Sequence, residues 1–299
     1  MSEAISEATG KRYGVQRVCR VWELCRTALY SRRQRAQERR GGEKPARRGP
    51  KPKLDDEGLL EAIRADLARS PFVGEGHRKV HASLRILDRI RVARKRVLRI
   101  MRESGLLSPH RVRQGAAKQH DGKIITLSPN VMWGTDGARV FTLDDGWVWV
   151  FSAVEHWNGE CVGSHVCKVG SRFAALEPIS QGLQRIFGSV EAEAARGLSL
   201  RMDHGSQYLS DHFQKQIRYW GITPSFGFVE EPETNGVAER FNRTLKEQAI
   251  HGRIFRTLEE VRAAVGEFVE RYNTQWRLEK LGFQTPLEAR QEHSLRQAA

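Results

Sequence analysis

Three carboxylates stand where an acid needs a reason. Asp136 falls inside an alternating, β-rich run, "NVMWGTDGARVFTL", and Asp203 closes another, "LSLRMD". Strands disfavour aspartate, and a half-buried carboxylate without a partner is destabilising. A divalent cation would explain both. Two structural readings stand beside it: Asp136 before Gly137 could mark a bulge, and Asp203 before His-Gly-Ser could open a turn. Glu239, in "PETNGVAERFNRTLKE", brings helix geometry to the question. At about 100° per residue, Glu239, Arg243 and Lys246 share one side of that helix, while Val237, Phe241 and Leu245 share the other. One face is core; the other carries an acid and two bases. Thr234 and Asn235 supply N-cap chemistry, and Gly236 lets the first turn pass close to a neighbour.

Two aspartates on neighbouring strands and a glutamate on an adjacent helix can converge on two divalent cations, the arrangement used in two-metal phosphoryl transfer. Mg²⁺ prefers oxygen ligands and keeps several waters, so a few carboxylates plus substrate phosphate oxygens suffice. One ion would activate an attacking water or 3′-hydroxyl, and the other would stabilise the leaving oxygen. Without metal the carboxylates would repel, raising the pKa of one of them.

The elements that must position these residues begin near Ile124. "NVMWGTDGARVFTL", "GWVWVFSAVEHWNG" and "CVGSHVCKVG" read as three strands, the first two joined by the tight-turn signal "DDG". An antiparallel meander is expected. A helix over 172–187, a strand "LSLRMD", a helix near 210–220, a strand near 223–226 and the Glu239 helix follow. Three strands and then alternating elements describe an α/β fold, a mixed sheet flanked by helices.

Ahead of this lies a helical stretch over 54–107. "DDEGLLEAIRADLARS" places Leu60, Ile63 and Leu67 on one face; after the turn signal "SPFVGEG", "HRKVHASLRILDR" aligns Val80, Leu84 and Leu87. "VARKRVLRIMRESG" buries Val97, Ile100 and Met101 and turns Arg94, Lys95, Arg99 and Arg102 outward, which suits a DNA groove. A solvated basic helix is the plainer reading. Upstream, Val15, Val18, Cys19 and Trp22, then Leu29 and Tyr30, mark two short helices, and 33–53 reads as a basic linker. The expected division is therefore 1–32 a partial helix-turn-helix-like segment, 33–53 linker, 54–120 helical DNA-binding domain and linker, and 121–299 catalytic domain with its tail.

Charge follows the same division. The formal net charge of +14 is regional, because residues 1–120 carry 30 basic and 13 acidic side chains while residues 121–299 carry 20 and 23. A front end that neutralises phosphates accounts for this. The longest apolar run, near "WVWVFSAV", is far shorter than the roughly 18 residues that span a bilayer. The N-terminus has no apolar signal core, so a soluble chain in a reducing compartment is expected. The four cysteines, Cys19, Cys25, Cys161 and Cys167, then read as small core hydrophobes and not as a zinc site.

The chain resembles the DDE transposases of the IS3 family, the second-frame product of those insertion sequences, and more distantly the retroviral integrases. "HRKVHASLRI…RKRVLRIMRESGLLSP" resembles the family's helical DNA-binding segment, and "PNVMWGTD", "MDHGSQYLS" and "TNGVAERFNRTLKE" resemble its three acidic motifs. "YNTQWRLEKLGFQTPLEA" resembles its closing tail, and the 35 residues between Asp203 and Glu239 match its spacing. The resemblance implies an RNase H-like core preceded by small all-α helix-turn-helix-like segments. It implies Asp136, Asp203 and Glu239 as catalytic ligands of two Mg²⁺ ions, with Mn²⁺ able to substitute. The implied reaction is nicking at element ends, then transfer of the freed 3′-hydroxyl to another phosphodiester. The implied partner is double-stranded DNA, both terminal inverted repeats and target, bound by a homo-oligomer. Arg78, Lys79, Arg94, Lys95, Arg99 and Arg102 are candidate contacts in the helical segment, and Arg243 and Lys246 beside the site. A cytoplasmic, nucleoid-associated protein is expected, with no membrane partner and with an upstream-frame helix-turn-helix product to complete it. Gly137 and "ETNGVAER" depart from the more frequent family pattern, and Gly137 is expected to loosen its strand. A non-catalytic DNA-binding regulator and another RNase H-like nuclease or integrase are the alternatives; the zinc-module spacing of the retroviral type is not seen.

Overall fold

A computed structural model describes residues 3–40, 54–108, 124–226 and 235–298. The chain divides into two compact units, Met1–Asp55 and Asp56–Ala299. Among its described residues the first holds two helices, α1 (Gly14–Val21) and α2 (Arg26–Arg40), with Cys19 buried and Trp22 exposed. Helix α2 runs through Arg40, so the first third of the expected basic linker is helical; the remainder, 41–53, lies outside the described residues.

The second unit opens with α3 (Asp56–Arg69), α4 (His77–Ile86) and α5 (Arg94–Glu103). Val97, Ile100 and Met101 are buried as their spacing predicts. On α3 the buried stripe is Leu59, Ile63 and Asp66, rotated from the expected Leu60 and Leu67. The rotation brings an acid inside, where Asp66 accepts from Ser83 Oγ at 2.5 Å and from Arg69 at 2.9 Å. Leu87, expected in the α4 stripe, sits at its C-cap and is exposed, while Ala82 is buried in the helix.

Five strands follow: β1 (Met132–Thr142), β2 (Gly146–Glu155), β3 (Cys161–Cys167), β4 (Ser199–Met202) and β5 (Thr223–Phe226). Their spatial order is β3-β2-β1-β4-β5, with β1–β2 and β2–β3 antiparallel and β1–β4 and β4–β5 parallel. This is the expected mixed sheet, RNase H-like in order. The "DDG" signal makes the β1–β2 turn, with Gly146 at φ 66°. Helices α6 (Arg172–Phe187), α7 (Ser206–Leu209) and α8 (Asp211–Tyr219) cover one face, where Trp133, Phe151, Leu183, Leu200 and Phe213 form a core. Helices α9 (Gly236–Leu245) and α10 (Leu258–Gln275) cover the other through Val148, Val150, Phe241, Leu245, Val265 and Phe268.

The final helix, α11 (Pro286–Ala298), is fastened by charge. Buried Glu160 accepts from Arg185 of α6 and from Arg290 of α11, tying the β2–β3 turn to both helices. Among the cysteines, Cys19 and Cys161 are buried, Cys167 is half-buried and Cys25 is exposed, so Cys25 is not the core residue expected; all four are free thiols. Among the described residues no helix is long and apolar enough to cross a membrane.

Close approach of α6 to the sheet depends on Gly163, where an added Cβ would lie 2.0 Å from the Pro178 carbonyl oxygen. Gly163→Ala should lower unfolding free energy by about 3 kcal/mol, the upper range for over-packing. Gly236→Ala meets nothing within 4 Å in a helical first turn and should be neutral or stabilising. Urea denaturation of both variants checks the contrast, and equal midpoints would contradict it.

Candidate active site

The sheet register brings two of the three acids together. The parallel β1–β4 pairing runs Met132↔Ser199, Trp133↔Leu200, Gly134↔Arg201. Two residues beyond that last rung lie Asp136 on one chain and Asp203 on the other. Asp136 sits on a regular rung opposite Ser152, so no bulge explains it. Its Oδ1 accepts the Gly137 N–H at 2.8 Å and its Oδ2 accepts Asn242 Nδ2 at 2.8 Å. Burial holds the Asp136 carboxyl above its ordinary pKa; those two hydrogen bonds oppose this, Asp203 adds to it and Lys246 counters it. Asp203 is exposed at the strand end and also makes the turn, accepting the Gly205 N–H at 2.9 Å. The turn reading of Asp203 is thus true and does not displace the pairing with Asp136.

Helix α9 carries the third acid and is fixed to β1 by two asparagines. Asn242 Oδ1 accepts from Ser152 Oγ at 3.0 Å while its Nδ2 holds Asp136, so one amide sets the carboxylate's orientation. Asn235 donates from Nδ2 to the Thr135 carbonyl at 2.9 Å. It occupies the N-cap position without capping by its side chain, contrary to the expected role; Thr234 lies outside the described residues. The glycine that permits close approach is Gly134, not Gly236. A Cβ at Gly134 would meet Asn235 Oδ1 at 3.0 Å, His156 Nε2 at 3.1 Å and Ala238 Cβ at 3.4 Å.

Glu239 is half-buried on the same helix, one turn before Asn242. Positions three apart on a helix have Cβ atoms about 5–6 Å apart, so Glu239 lies on the same side of α9 as Asn242, the residue that holds Asp136. Among the described residues, however, no three His, Cys, Asp or Glu side chains are gathered closely enough to enclose a metal ion. The expected faces of α9 hold, with Phe241 and Leu245 buried and Val237 packed on the core, and Asn242 joins the buried set. Gly137 does not loosen the strand: an added Cβ would meet the Phe151 ring at 2.9 Å, and Phe151 stacks on Trp149.

Three contributors escaped the sequence reading. Asn242 carried no signal beyond its place between Glu239 and Lys246. Tyr208 is buried, which pushes its phenol far up, and the charges of Asp136 and Asp203 add to this. His156 is buried beside Gly134, and neither ring nitrogen has a hydrogen-bond partner among the described residues. Burial first, then Lys280 and Arg201, lower its pKa to about 4.

The candidate DNA contacts separate into groups. Arg94, Lys95 and Arg102 are exposed on α5, whereas Arg99 pairs with Asp56 and Glu103. Arg243 is exposed on α9; Lys246 is half-buried and opens a π-helical turn, Lys246–Ile250. Arg78 pairs with Glu279 at 2.8 Å. Lys79 is withdrawn from any DNA-facing surface: its Nζ is buried over the Trp276 ring, beside Glu75. Its place in a basic stretch was a poor guide, because the long aliphatic stem packs as readily as it solvates.

The family described as integrase core domain matches residues 220–286, and the family described as HTH-like domain matches residues 53–114. The chain is 27% identical over 289 residues to a transposase for insertion sequence element IS629 of Shigella sonnei, covering 93% of this chain and 92% of that protein. It is 29% identical over 244 residues to transposase InsD for insertion element IS2A/D/F/H/I/K of Escherichia coli, covering 78% of each. Among solved structures, the catalytic core domain of BIV integrase aligns with 57% of this chain and 99% of its own, at 23% identity and a TM-score of 0.41.

The His156 environment gives a pH test. Its folded-state value of about 4 lies below the ordinary 6.5, so the unfolded chain takes up the proton first as pH falls. Stability is full above the ordinary value and is lost on acidification through the folded value, by about 3 kcal/mol. His156→Gln should flatten this acid arm in urea denaturation between pH 7.5 and pH 4.5. An unchanged slope would contradict a buried neutral imidazole.

Proposed function

We propose that in this chain, which belongs to the IS3 family of insertion-sequence transposases, Asp136, Asp203 and Glu239 form the catalytic carboxylate set. The protein is a DNA transposase with an integrase core, and the chemistry of that class is polynucleotidyl transfer. The observation that carries the assignment is the β1–β4 register, which leaves Asp136 and Asp203 side by side with Asn242 steering one of them. Two adjacent carboxylates, one held above its ordinary pKa by burial and by the other's charge, form a donor set that a cation would relieve. Two Mg²⁺ ions, or Mn²⁺ in their place, held by Asp136, Asp203 and Glu239 would supply activation of the nucleophile and stabilisation of the leaving oxygen.

In the first step a water oxygen attacks the phosphorus at an element end, and the 3′-oxygen leaves as a hydroxyl. In the second, that hydroxyl attacks a target phosphodiester and displaces its 3′-oxygen, so bond number is conserved. The chain's own contribution is orientation: Asn242 fixes Asp136, the Asp203 turn fixes its partner, and α9 carries Glu239 one turn before Asn242. Lys246 offsets negative charge at Asp136, and Arg243, Arg94, Lys95 and Arg102 contact DNA phosphates. The substrates are double-stranded element ends and target DNA, held by a homo-oligomer in the nucleoid, with an upstream-frame helix-turn-helix product as a further partner. The division at 1–32, 33–53, 54–120 and 121–299 gives the working parts, except that α2 carries the first helical part through Arg40.

Incubating the full chain with duplex end DNA and Mg²⁺ or Mn²⁺ tests this reading. Wild type should nick and join. Asp136→Asn, Asp203→Asn and Glu239→Gln should each lose activity by about a thousandfold while still binding DNA. Activity in every variant would sink the carboxylate assignment, and activity in none, wild type included, would favour a non-catalytic DNA-binding regulator.

A further inference from the structure

The loop between α3 and α4 leaves the helical segment and inserts into the catalytic core. Phe72 is 6% exposed and belongs to the same apolar cluster as Phe241, Leu245, Phe268 and Tyr272. Its ring meets Trp276 edge-on at 4.7 Å, Trp276 stacks on Tyr272 at 5.9 Å, and Tyr272 meets Phe241 edge-on at 5.0 Å. Phe241 is the residue before Asn242 on α9. The next loop residue, Val73, is gripped by its backbone: its N–H donates to Gln248 Oε1 at 2.9 Å, and its carbonyl accepts from Gln248 Nε2 at 2.9 Å. Gln248 lies in the π-helical turn that Lys246 opens directly after α9. At the start of α4, Lys79 caps the Trp276 ring and Arg78 donates to both oxygens of Glu279.

These contacts all join the HTH-like segment to α9 and its surroundings. Aromatic rings edge-to-face and a two-point amide grip resist both sliding and rotation, which a single ion pair would not. We propose that Phe72, Val73 and Arg78, seated on Trp276, Gln248 and Glu279, are a positional lock. It sets the distance between DNA held by the helical segment and the carboxylates on β1, β4 and α9, and so fixes which phosphodiester is cut. The proposal rests on the catalytic assignment above and makes Gln248 and Phe72 positioning residues. It also removes Arg78 from the DNA contacts, since its guanidinium serves Glu279.

The test uses the full chain with labelled end DNA and Mn²⁺, reading end affinity without metal, nicking rate and nick position. Arg78 and Glu279 are both about half exposed, so their substitution leaves the core intact. Arg78→Glu and Glu279→Arg alone should scatter the nick over neighbouring phosphodiesters with affinity within about twofold, and the double exchange should restore a single position. Gln248→Ala should scatter it similarly. Phe72→Ala should lower the rate at the native position by about a hundredfold, as small misplacements do. A uniform nick in every variant overturns the lock. Loss of DNA affinity in Arg78→Glu that Glu279→Arg does not rescue also overturns it, returning Arg78 to DNA. If wild type is as silent as Asp203→Asn, the catalytic assignment fails instead, and hydrogen exchange decides the lock. The Val73 amide should then be protected in wild type and exposed in Gln248→Ala, whereas equal protection counts against it.

Discussion

Asp136 and Asp203 repel one another, and much of the surrounding structure is arranged to keep them together. Parallel pairing of β1 with β4 sets the spacing through backbone hydrogen bonds, which side-chain repulsion cannot shift without breaking the sheet. Burial worsens the conflict by raising the pKa of Asp136, and Asn242 and the Gly137 amide answer it with two bonds to the charged form. A carboxylate hydrogen-bonded as an anion yet held above its ordinary pKa by burial and a neighbouring anion is one that a cation would relieve. Tyr208 shows the same field from below, its phenol kept neutral by burial and by both aspartates.

Holding α9 at the right height over this pair is a packing problem. Gly134 removes the side chain that would push the helix away, and Asn235 uses the space to bond the Thr135 carbonyl. Phe241 and Leu245 bury the helix's other face against α10 and β2. The aromatic series from Phe241 through Tyr272 and Trp276 to Phe72 carries this packing on to the helical segment. At the far end of the sheet, the Glu160–Arg185–Arg290 network ties α6 and α11 to the β2–β3 turn. Removing one arginine there would leave a buried carboxylate short of a partner, the costly way to break such a network.

The sheet and its order of elements were legible because alternation, turn signals and helical spacing are local properties of the chain. Every strand from β1 to β5 falls where its pattern places it, and α9 presents the two faces its spacing dictates. Asp136 and Asp203 were legible as misfits, acids in strand positions. What escaped depends on contacts between distant segments. Asn242 has no distinguishing neighbour until Ser152 and Asp136 are seen beside it. Gly134 and Gly236 look alike in sequence, and only the approach of α9 to β1 tells them apart. Asp66 was overlooked because a buried acid reads as a surface one until Ser83 and Arg69 meet it. Lys79 read as a DNA contact for the same reason, since its charge is visible in sequence and the Trp276 ring that receives it is not.

The central claim is that the Asp136–Asp203 pair, with Glu239, is built to take divalent cations. Calorimetric titration of the DNA-free full chain with Mn²⁺, beside thermal unfolding with and without the ion, tests it most directly. Saturable binding that raises the unfolding temperature of wild type, and that Asp136→Asn abolishes, is the predicted result. Binding and stabilisation that survive unchanged in Asp136→Asn and in Asp203→Asn would contradict it.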